Sequence, residues 1–235
     1  MTQMPKDQAL APDSKATKQP AHLTVFKDLR DLILFGELAP GQAVTIQGLT
    51  EQLGAGMTPV REAIRRLISE GALKTLGNRR VIVPELSADG LEELDFMRQS
   101  LEPHLAQRAA SRLSDADLQH LKSLDDALNQ AIEMGDVHAY LLQNYRFHAA
   151  LYSLADAPII AATIDRLWLR FGPSLRVVCG RYGTFNLPDK HADLLKALAD
   201  GDSDAARKAM SEDVAQGMGQ IRQTLANPEA SHRFD

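Results

Sequence analysis

The sequence has few of the features that define several large classes of protein. Its single cysteine, Cys179, excludes a disulfide framework and any cysteine-rich metal module. No apolar run approaches the roughly 18 residues of a membrane span, and the first twenty residues lack the apolar core of a signal peptide. Aromatic residues make up only 5% of the 235 residues, whereas Leu and Ala are abundant. These absences predict a soluble, cytoplasmic, mainly α-helical protein with no membrane partner.

Charge is unevenly distributed along the chain, whose net charge is −5. Residues 21–86 carry a net charge of +1, whereas residues 87–235 carry fifteen Lys and Arg against twenty-two Asp and Glu. A near-neutral amino-terminal part joined to an acidic remainder indicates two functional units. Because phosphate binding depends on the local field, the overall negative charge does not exclude a nucleic-acid partner.

Helix signals in residues 21–86 predict a compact DNA-binding fold. The first helix ends at Gly36, and the Thr45 hydroxyl is placed to cap a second short helix. Thr58 is predicted as the N-cap of a third helix with Pro59 at its first position, which is a strong start signal. Residues 1–20 mix polar residues, Pro and Ala without periodicity, so they are predicted to be a disordered tail.

Two short β-prone runs follow the third helix and flank residues 77–80, which include Arg79 and Arg80, and this predicts a hairpin with a basic tip. Three helices followed by such a hairpin are typical of a winged helix-turn-helix, in which one helix enters the major groove of double-stranded DNA. The alternative is a solvated helix face on which these arginines pair with Glu62 and Glu70. The residues predicted to contact DNA are Thr58, Pro59, Arg61, Arg65, Arg79 and Arg80.

Residues 87–228 show only helical periodicity, which predicts an antiparallel all-α bundle. Because two-fold symmetric dimers bind two-fold symmetric operators, a homodimer is expected, held by this bundle with most of the apolar stripes. Gly172-Pro173 is expected to kink or break one of its helices, and residues 180–188 are expected to form a loop. Residues 229–235 are predicted to be a tail.

Four polar side chains fall on the apolar stripes of this bundle, where burial without a partner would cost a few kcal/mol each. Two imidazoles, a carboxylate and an amide oxygen could converge on a divalent metal such as zinc and leave one position open. The alternative is that they are core residues hydrogen-bonded to the backbone or to one another, in a pocket without metal. The four candidate metal ligands are Asn144, His148, His191 and Asp213.

The amino-terminal motifs resemble the DNA-binding head of the GntR family of bacterial regulators. The resemblance covers about residues 22–84 and is carried by Gly36-Glu37-Leu38-Ala39-Pro40-Gly41, Leu53-Gly54, the run from Thr58 to Leu67, and Glu70-Gly71. The family usually has Ser-Arg where this chain has Gly56-Met57. Since that arginine commonly contacts bases, the resemblance implies DNA binding through Arg61 and Arg65 but not a particular operator sequence.

The carboxy-terminal half resembles the FadR-type effector domain. The resemblance is carried by Arg98 with Glu102, the run from Asn144 to His148, and His191 followed by Ala197, Gly201-Asp202, Ala206, Met210 and Asp213. Metal-binding relatives typically have Asp in place of Asn144 and His in place of Asp213. They hold a small organic acid beside the ion, which implies that an arginine binds the effector carboxylate. The candidates are Arg98, Arg170 and Arg176.

These features together predict a ligand-responsive transcriptional repressor that senses a small carboxylate. Two alternatives stay open at this point. Two histidines and a carboxylate also form the site of non-haem iron enzymes, although the sequence lacks the β-barrel that usually carries it. The bundle could also be a ligand-free dimerisation module of a DNA-binding protein.

Overall fold

The computed structural model describes residues 21–182 and 190–226, which form nine helices and three short strands. The amino-terminal part contains α1 (Ala21–Leu34), β1 (Ala43–Val44), α2 (Ile46–Leu53), α3 (Met57–Ser69), β2 (Lys74–Thr75) and β3 (Val81–Ile82). The remainder contains α4 (Ala88–Ala110), α5 (Asp115–Met134), α6 (Val137–Leu154), α7 (Pro158–Tyr182), α8 (Lys190–Ala199) and α9 (Ser203–Ala226). The predicted fold class, a winged helix-turn-helix followed by a helical bundle, is confirmed. The predicted tails, residues 1–20 and 229–235, lie outside the described residues.

The start of α3 differs from the prediction by one residue. Thr58 was expected to cap the helix, but Met57 is already helical and Gly56 is the N-cap, with no side-chain cap hydrogen bond. Pro59 therefore lies at the third position of the helix rather than the first. Proline is tolerated there because the N–H groups of the first turn have no partner inside the helix. The predicted cap at Thr45 is confirmed, since its hydroxyl accepts a 3.0 Å hydrogen bond from the backbone N–H of Gly48.

The predicted basic hairpin is present as part of a larger sheet. Strands β2 and β3 pair antiparallel, and β1 pairs with the other edge of β3, so the strand order is β1-β3-β2. Strand β1 was not predicted because two residues are too short to show an alternating pattern. It anchors the hairpin to the turn between α1 and α2, which fixes the direction in which the hairpin tip projects.

The most extensive packing in the bundle is of α4 along α9, α5 along α6 and α8 against α9, and α7 packs against α4, α6 and α9. Helix α5 begins at the predicted capping box of Ser114 and Asp117 and ends at Gly135, whose φ of 67° favours glycine. The interior is filled by large apolar side chains, including Leu105, Phe147 and Leu151, none of which is exposed.

Helix α7 is continuous through two points where the sequence suggested an interruption. Gly172-Pro173, expected to kink or break the helix, does not break it, and residues 180–182, expected to begin a loop, are still helical. The rest of that predicted loop lies outside the described residues. Both Gly172 and Pro173 are buried, so packing around them outweighs the one backbone hydrogen bond that proline forfeits.

Gly172 also brings the two parts of the chain together, because it lets α7 approach the end of α1. A Cβ atom at this position would overlap the backbone carbonyl oxygen of Leu34. The contact joins backbone to backbone, so no side-chain rotation could relieve the overlap.

We therefore expect Gly172→Ala to destabilise the protein by about 1–3 kcal/mol through overpacking. Gly219→Ala is the matched control, since it lies inside α9 with open space around its Cβ position, and should stabilise the helix by about 0.5–1 kcal/mol. Urea unfolding measures both changes. A Gly172→Ala variant as stable as Gly219→Ala would contradict the close approach of α1 and α7.

Candidate functional sites

Helix α3 has one buried and one exposed face, as its sequence predicts. Val60, Ala63, Ile64 and Leu67 are buried against the amino-terminal core. Thr58, Arg61 and Arg65 lie on the exposed side, while Pro59 is half-buried. The exposed face is therefore available to a partner along its whole length.

The arginines of α3 differ in the side-chain contacts that they make. Arg65 donates a 2.8 Å hydrogen bond to Glu62, and Arg66 bonds Glu70 at 2.9 Å while its guanidinium lies 3.7 Å from the ring centroid of Phe26. These pairs match the solvated-face alternative for Arg65 and Arg66. Arg61 is exposed and makes no ion pair within the described parts of the chain, so its charge is available to a phosphate or a base edge.

The hairpin adds two further cations to the same domain. Arg79 and Arg80 are exposed at its tip, where Arg79 adopts a φ of 63° in the left-handed region. The turn is closed by a 2.8 Å hydrogen bond from the N–H of Leu76 to the carbonyl of Arg80. A basic tip of this kind can enter a minor groove or bind the phosphate backbone.

In the bundle, three of the four candidate metal ligands converge. One donor atom from each of His148, His191 and Asp213 lies within 4.8 Å of the others. Asn144, one helical turn before His148, lines the same cavity of about 60 Å³. The two histidines are buried and Asp213 is half-buried. These polar side chains of helices α6, α8 and α9 therefore line one cavity.

Each histidine uses its Nδ1 atom to contact a buried neighbour. His148 Nδ1 lies 2.9 Å from the Tyr152 hydroxyl, and His191 Nδ1 lies 2.9 Å from a carboxylate oxygen of Asp125. Sequence reasoning missed both partners. The available signals were Tyr152 four residues after His148 and Asp125 on the apolar stripe of Leu121 and Leu128.

The other ring nitrogen of His148 faces an acid. Its Nε2 lies 3.4 Å from Asp213 Oδ2, and burial lowers the pKa of His148 to about 3 although Asp213 opposes the shift. The imidazole is therefore neutral at pH 7. Burial, followed by the Glu102 carboxylate, raises the pKa of Tyr152 well above 10.0, so its phenol keeps its hydrogen.

A divalent cation fits this donor set. If the Nδ1 atom of neutral His148 carries the hydrogen, Nε2 presents a lone pair to the Asp213 carboxylate, and two acceptors 3.4 Å apart repel each other. A positive charge between them reverses that interaction. Two ligands of one tetrahedral zinc ion are about 3.3–3.6 Å apart, given bond lengths of about 2.0–2.2 Å. Imidazole nitrogen and carboxylate oxygen are both ordinary zinc ligands.

Of the three arginines predicted to bind an effector, Arg98 lines this cavity. It is buried and forms two hydrogen bonds with Glu102, of 2.6 and 3.1 Å. Its Nη1 atom lies 3.3 Å from the sulfur of Met218, and its guanidinium lies 4.0 Å from the ring centroid of Phe171. Arg98 is thus a cation that Glu102 holds in place, and its Nη1 atom lies against a weak acceptor, the sulfur of Met218.

The structure does not support the other two predicted effector ligands. Arg170 packs against Gly71 and Arg176 packs against Gly36, where a glycine Cβ would meet their side chains at 3.2 and 2.6 Å respectively. Neither residue lines the cavity. Both lie on the part of α7 that faces the amino-terminal domain, which explains why their helical positions alone were misleading.

A polar contact also joins the two domains beside the cavity. Arg30 of α1 donates hydrogen bonds to Asp165 of α7, at 2.5 Å, and to the hydroxyl of Tyr145 of α6, at 3.0 Å. The Tyr145 ring packs edge-on against Trp168, with centroids 5.5 Å apart, and Trp168 packs against His148 at 5.3 Å. Trp168, which lines the cavity, thus contacts Tyr145, which accepts a hydrogen bond from Arg30 of α1.

Comparisons with known proteins agree with this architecture. Residues 21–83 match the family described as bacterial regulatory proteins, gntR family, and residues 93–216 match the FCD domain. The HTH-type transcriptional regulator McbR of Escherichia coli K12 is 33% identical over 199 residues, which cover 83% of this chain and 90% of McbR. A solved structure of E. coli McbR/YncC has a TM-score of 0.83 at 31% identity and covers 88% of this chain and 100% of its own. This chain belongs to the GntR family.

A second relative extends the comparison within the GntR family. The HTH-type transcriptional repressor RspR of E. coli K12 is 26% identical over 215 residues, which cover 87% of this chain and 92% of RspR. The chain is accordingly a DNA-binding transcriptional regulator with an effector-binding FCD domain, and not an enzyme. Within residues 21–182 and 190–226, no helix combines the length and the apolar character that crossing a membrane requires.

Proposed function

We propose that this GntR-family regulator represses transcription as a homodimer and senses a small carboxylate bound beside a divalent metal in its helical domain. The observation that carries the proposal is the buried cavity in which His148 Nε2 faces Asp213 and which Arg98 also lines. A cavity with two acceptors and one fixed cation suits a bound metal with an anionic ligand.

The metal would be held by His148, His191 and Asp213, with the amide oxygen of Asn144 as a further donor. When bound, a divalent ion such as zinc supplies a Lewis-acid centre for one carboxylate oxygen of the effector. Replacement of the family's usual Asp by Asn144 and of a His by Asp213 keeps the number of donors. It also keeps one carboxylate in the set, which offsets part of the ion's charge.

Arg98 would bind the other carboxylate oxygen. Glu102 holds its guanidinium in place, and its Nη1 atom contacts only the weak acceptor sulfur of Met218 among the hydrogen-bond acceptors of the described residues. Exchanging that contact for a carboxylate gives a charge-assisted hydrogen bond, which is stronger than a neutral one. The cavity of about 60 Å³ favours an acid of a few carbon atoms.

Helices α6 and α7 would transmit the state of the cavity to the DNA-binding domain. Both carry residues of the cavity wall, and both contact Arg30 through Tyr145 and Asp165. An effector changes DNA affinity only if it binds the two domain arrangements with different affinity. A small rotation of Tyr145 against Trp168 would provide that difference, because it would alter the contact that orients α1.

On DNA, the exposed face of α3 would lie in the major groove of a two-fold symmetric operator, which two copies of the chain would bind together. Arg61 and Arg65 would contact phosphates or guanine edges, and the backbone N–H group of Thr58, next to Pro59, lies at the end of the helix that attracts phosphate. Arg79 and Arg80 would reach the neighbouring groove.

The metal part of the proposal is tested by titrating Zn²⁺ into chelator-stripped protein in a calorimeter. We expect one ion per chain, and we expect His148→Ala to weaken binding by more than about 10-fold, since even outer-shell changes cost 10–100-fold. His104→Ala, an exposed histidine on α4, should bind like the wild type. Failure of the wild type to bind zinc, or equal affinity of His148→Ala, would refute the assignment.

The zinc-loaded and the chelator-stripped protein can both be screened by thermal shift against small mono- and dicarboxylic acids to find the effector. An effector that binds the folded state raises the melting temperature, and we expect that rise with zinc but not with chelator. If no acid acts in either state and zinc leaves DNA affinity unchanged, the ligand-free dimerisation bundle is the better interpretation.

The DNA part is tested with Arg61→Ala and a duplex that the wild-type protein selects from a random library. Loss of a phosphate contact should weaken binding and reduce the salt slope of the affinity by about one. Arg207→Ala is the control, because it removes another exposed arginine, which lies on α9 and not on α3. Fluorescence anisotropy at several salt concentrations measures the affinity and its salt slope. Unchanged affinity of Arg61→Ala would show that Arg61 does not contact DNA.

A further inference from the structure

We propose that Asp125 and the Tyr152–Glu102 pair are positioning groups that hold His191 and His148 as Nδ1–H tautomers, which leaves the lone pair of each ring on Nε2. This inference rests on the proposed metal site for its purpose. The tautomers themselves are a property of the protein without metal, and they follow from which atoms can donate a hydrogen.

The assignment for His148 depends on the single hydrogen of the Tyr152 hydroxyl. That hydroxyl lies 2.5 Å from Glu102 Oε2, the distance of a short charge-assisted hydrogen bond in which the phenol donates. Its contact with the sulfur of Met210, at 3.8 Å, is far weaker. Because the Tyr152 hydroxyl donates its one hydrogen to Glu102, its oxygen can only accept a hydrogen bond from His148 Nδ1, 2.9 Å away.

Glu102 is fixed as an acceptor by Arg98. It has no exposed surface, and both of its carboxylate oxygens receive hydrogen bonds from the guanidinium. Arginine has only donors to offer, so both oxygens of Glu102 act as acceptors in this pair. The order of donation therefore runs from Arg98 to Glu102, from Tyr152 to Glu102, and from His148 to Tyr152.

The assignment for His191 depends on a buried carboxylate. Asp125 Oδ1 lies 2.9 Å from His191 Nδ1, and Asn129 donates to Oδ2 at 3.2 Å. A carboxylate can only accept, so Nδ1 of His191 carries the hydrogen. The Phe147 ring stacks on the imidazole with centroids 4.0 Å apart and an interplanar angle of 12°, which prevents the ring from tilting.

The two supports differ in strength, and this difference is itself testable. His191 lies directly against the Asp125 carboxylate. His148 instead lies against the neutral phenol of Tyr152, which in turn donates to the Glu102 carboxylate. A carboxylate behind an imidazole makes the outer nitrogen more electron-rich than a phenol does. Loss of Asp125 should therefore weaken metal binding more than loss of the Tyr152 hydroxyl.

The first test is a long-range ¹H–¹⁵N correlation spectrum of histidine-labelled, metal-free protein, with resonances assigned from His148→Ala and His191→Ala. We expect both histidines to show the Nδ1–H pattern, and Tyr152→Phe to shift His148 toward a mixture of tautomers. An Nε2–H pattern for both histidines in the wild type would overturn the proposal whether or not the protein binds zinc.

The second test is zinc affinity by competition with a chromogenic chelator. Asp125→Asn should raise the dissociation constant by about 10–100-fold, as for other outer-shell partners, and Tyr152→Phe by less. Asp126→Asn makes the same change at the exposed neighbouring residue and should have no effect. Zinc binding that is equally tight in Asp125→Asn and Asp126→Asn would contradict the role of Asp125. Absence of zinc binding in the wild type would instead contradict the proposed function.

Discussion

The contact between His148 Nε2 and the Asp213 carboxylate, 3.4 Å apart in a mostly buried cavity, is the interaction on which the sensing half of this molecule depends. With the hydrogen on Nδ1, as proposed, the neutral imidazole and the carboxylate would face each other with lone pairs unless a cation lay between them. The buried Tyr152–Glu102–Arg98 chain favours this tautomer, because the Tyr152 hydroxyl lies against the opposite nitrogen of His148. A metal ion between the two groups would then turn their repulsion into attraction.

The same cavity lies where a change can reach the DNA-binding domain. Trp168 separates His148 from Tyr145, and Tyr145 shares Asp165 with Arg30 of the first helix. Gly172 lets that helix approach α7 closely enough for backbone atoms to touch. Closely packed interfaces of this kind shift between discrete arrangements rather than deform gradually, which suits a regulator with two affinities for DNA.

Much of this architecture was predictable because local rules governed it. The caps at Thr45 and Ser114 and the polar residues on the stripes of α6, α8 and α9 were read from spacing alone. Local rules were insufficient where tertiary contact decided the outcome. Helix α7 is unbroken at Pro173 because packing holds that helix, and Arg170 and Arg176 face glycines of the other domain that no helical periodicity could reveal. Asp125 was missed because its partner His191 lies 66 residues away.

Anomalous diffraction at the zinc absorption edge, from crystals grown with Zn²⁺, would show whether a metal ion lies between His148 and Asp213. We expect one strong peak per chain, bonded to His148 Nε2, His191 and Asp213, with Nδ1 of His148 still bonded to Tyr152. A cavity without a peak, in which Nε2 of His148 donates a hydrogen bond to Asp213, would contradict this expectation.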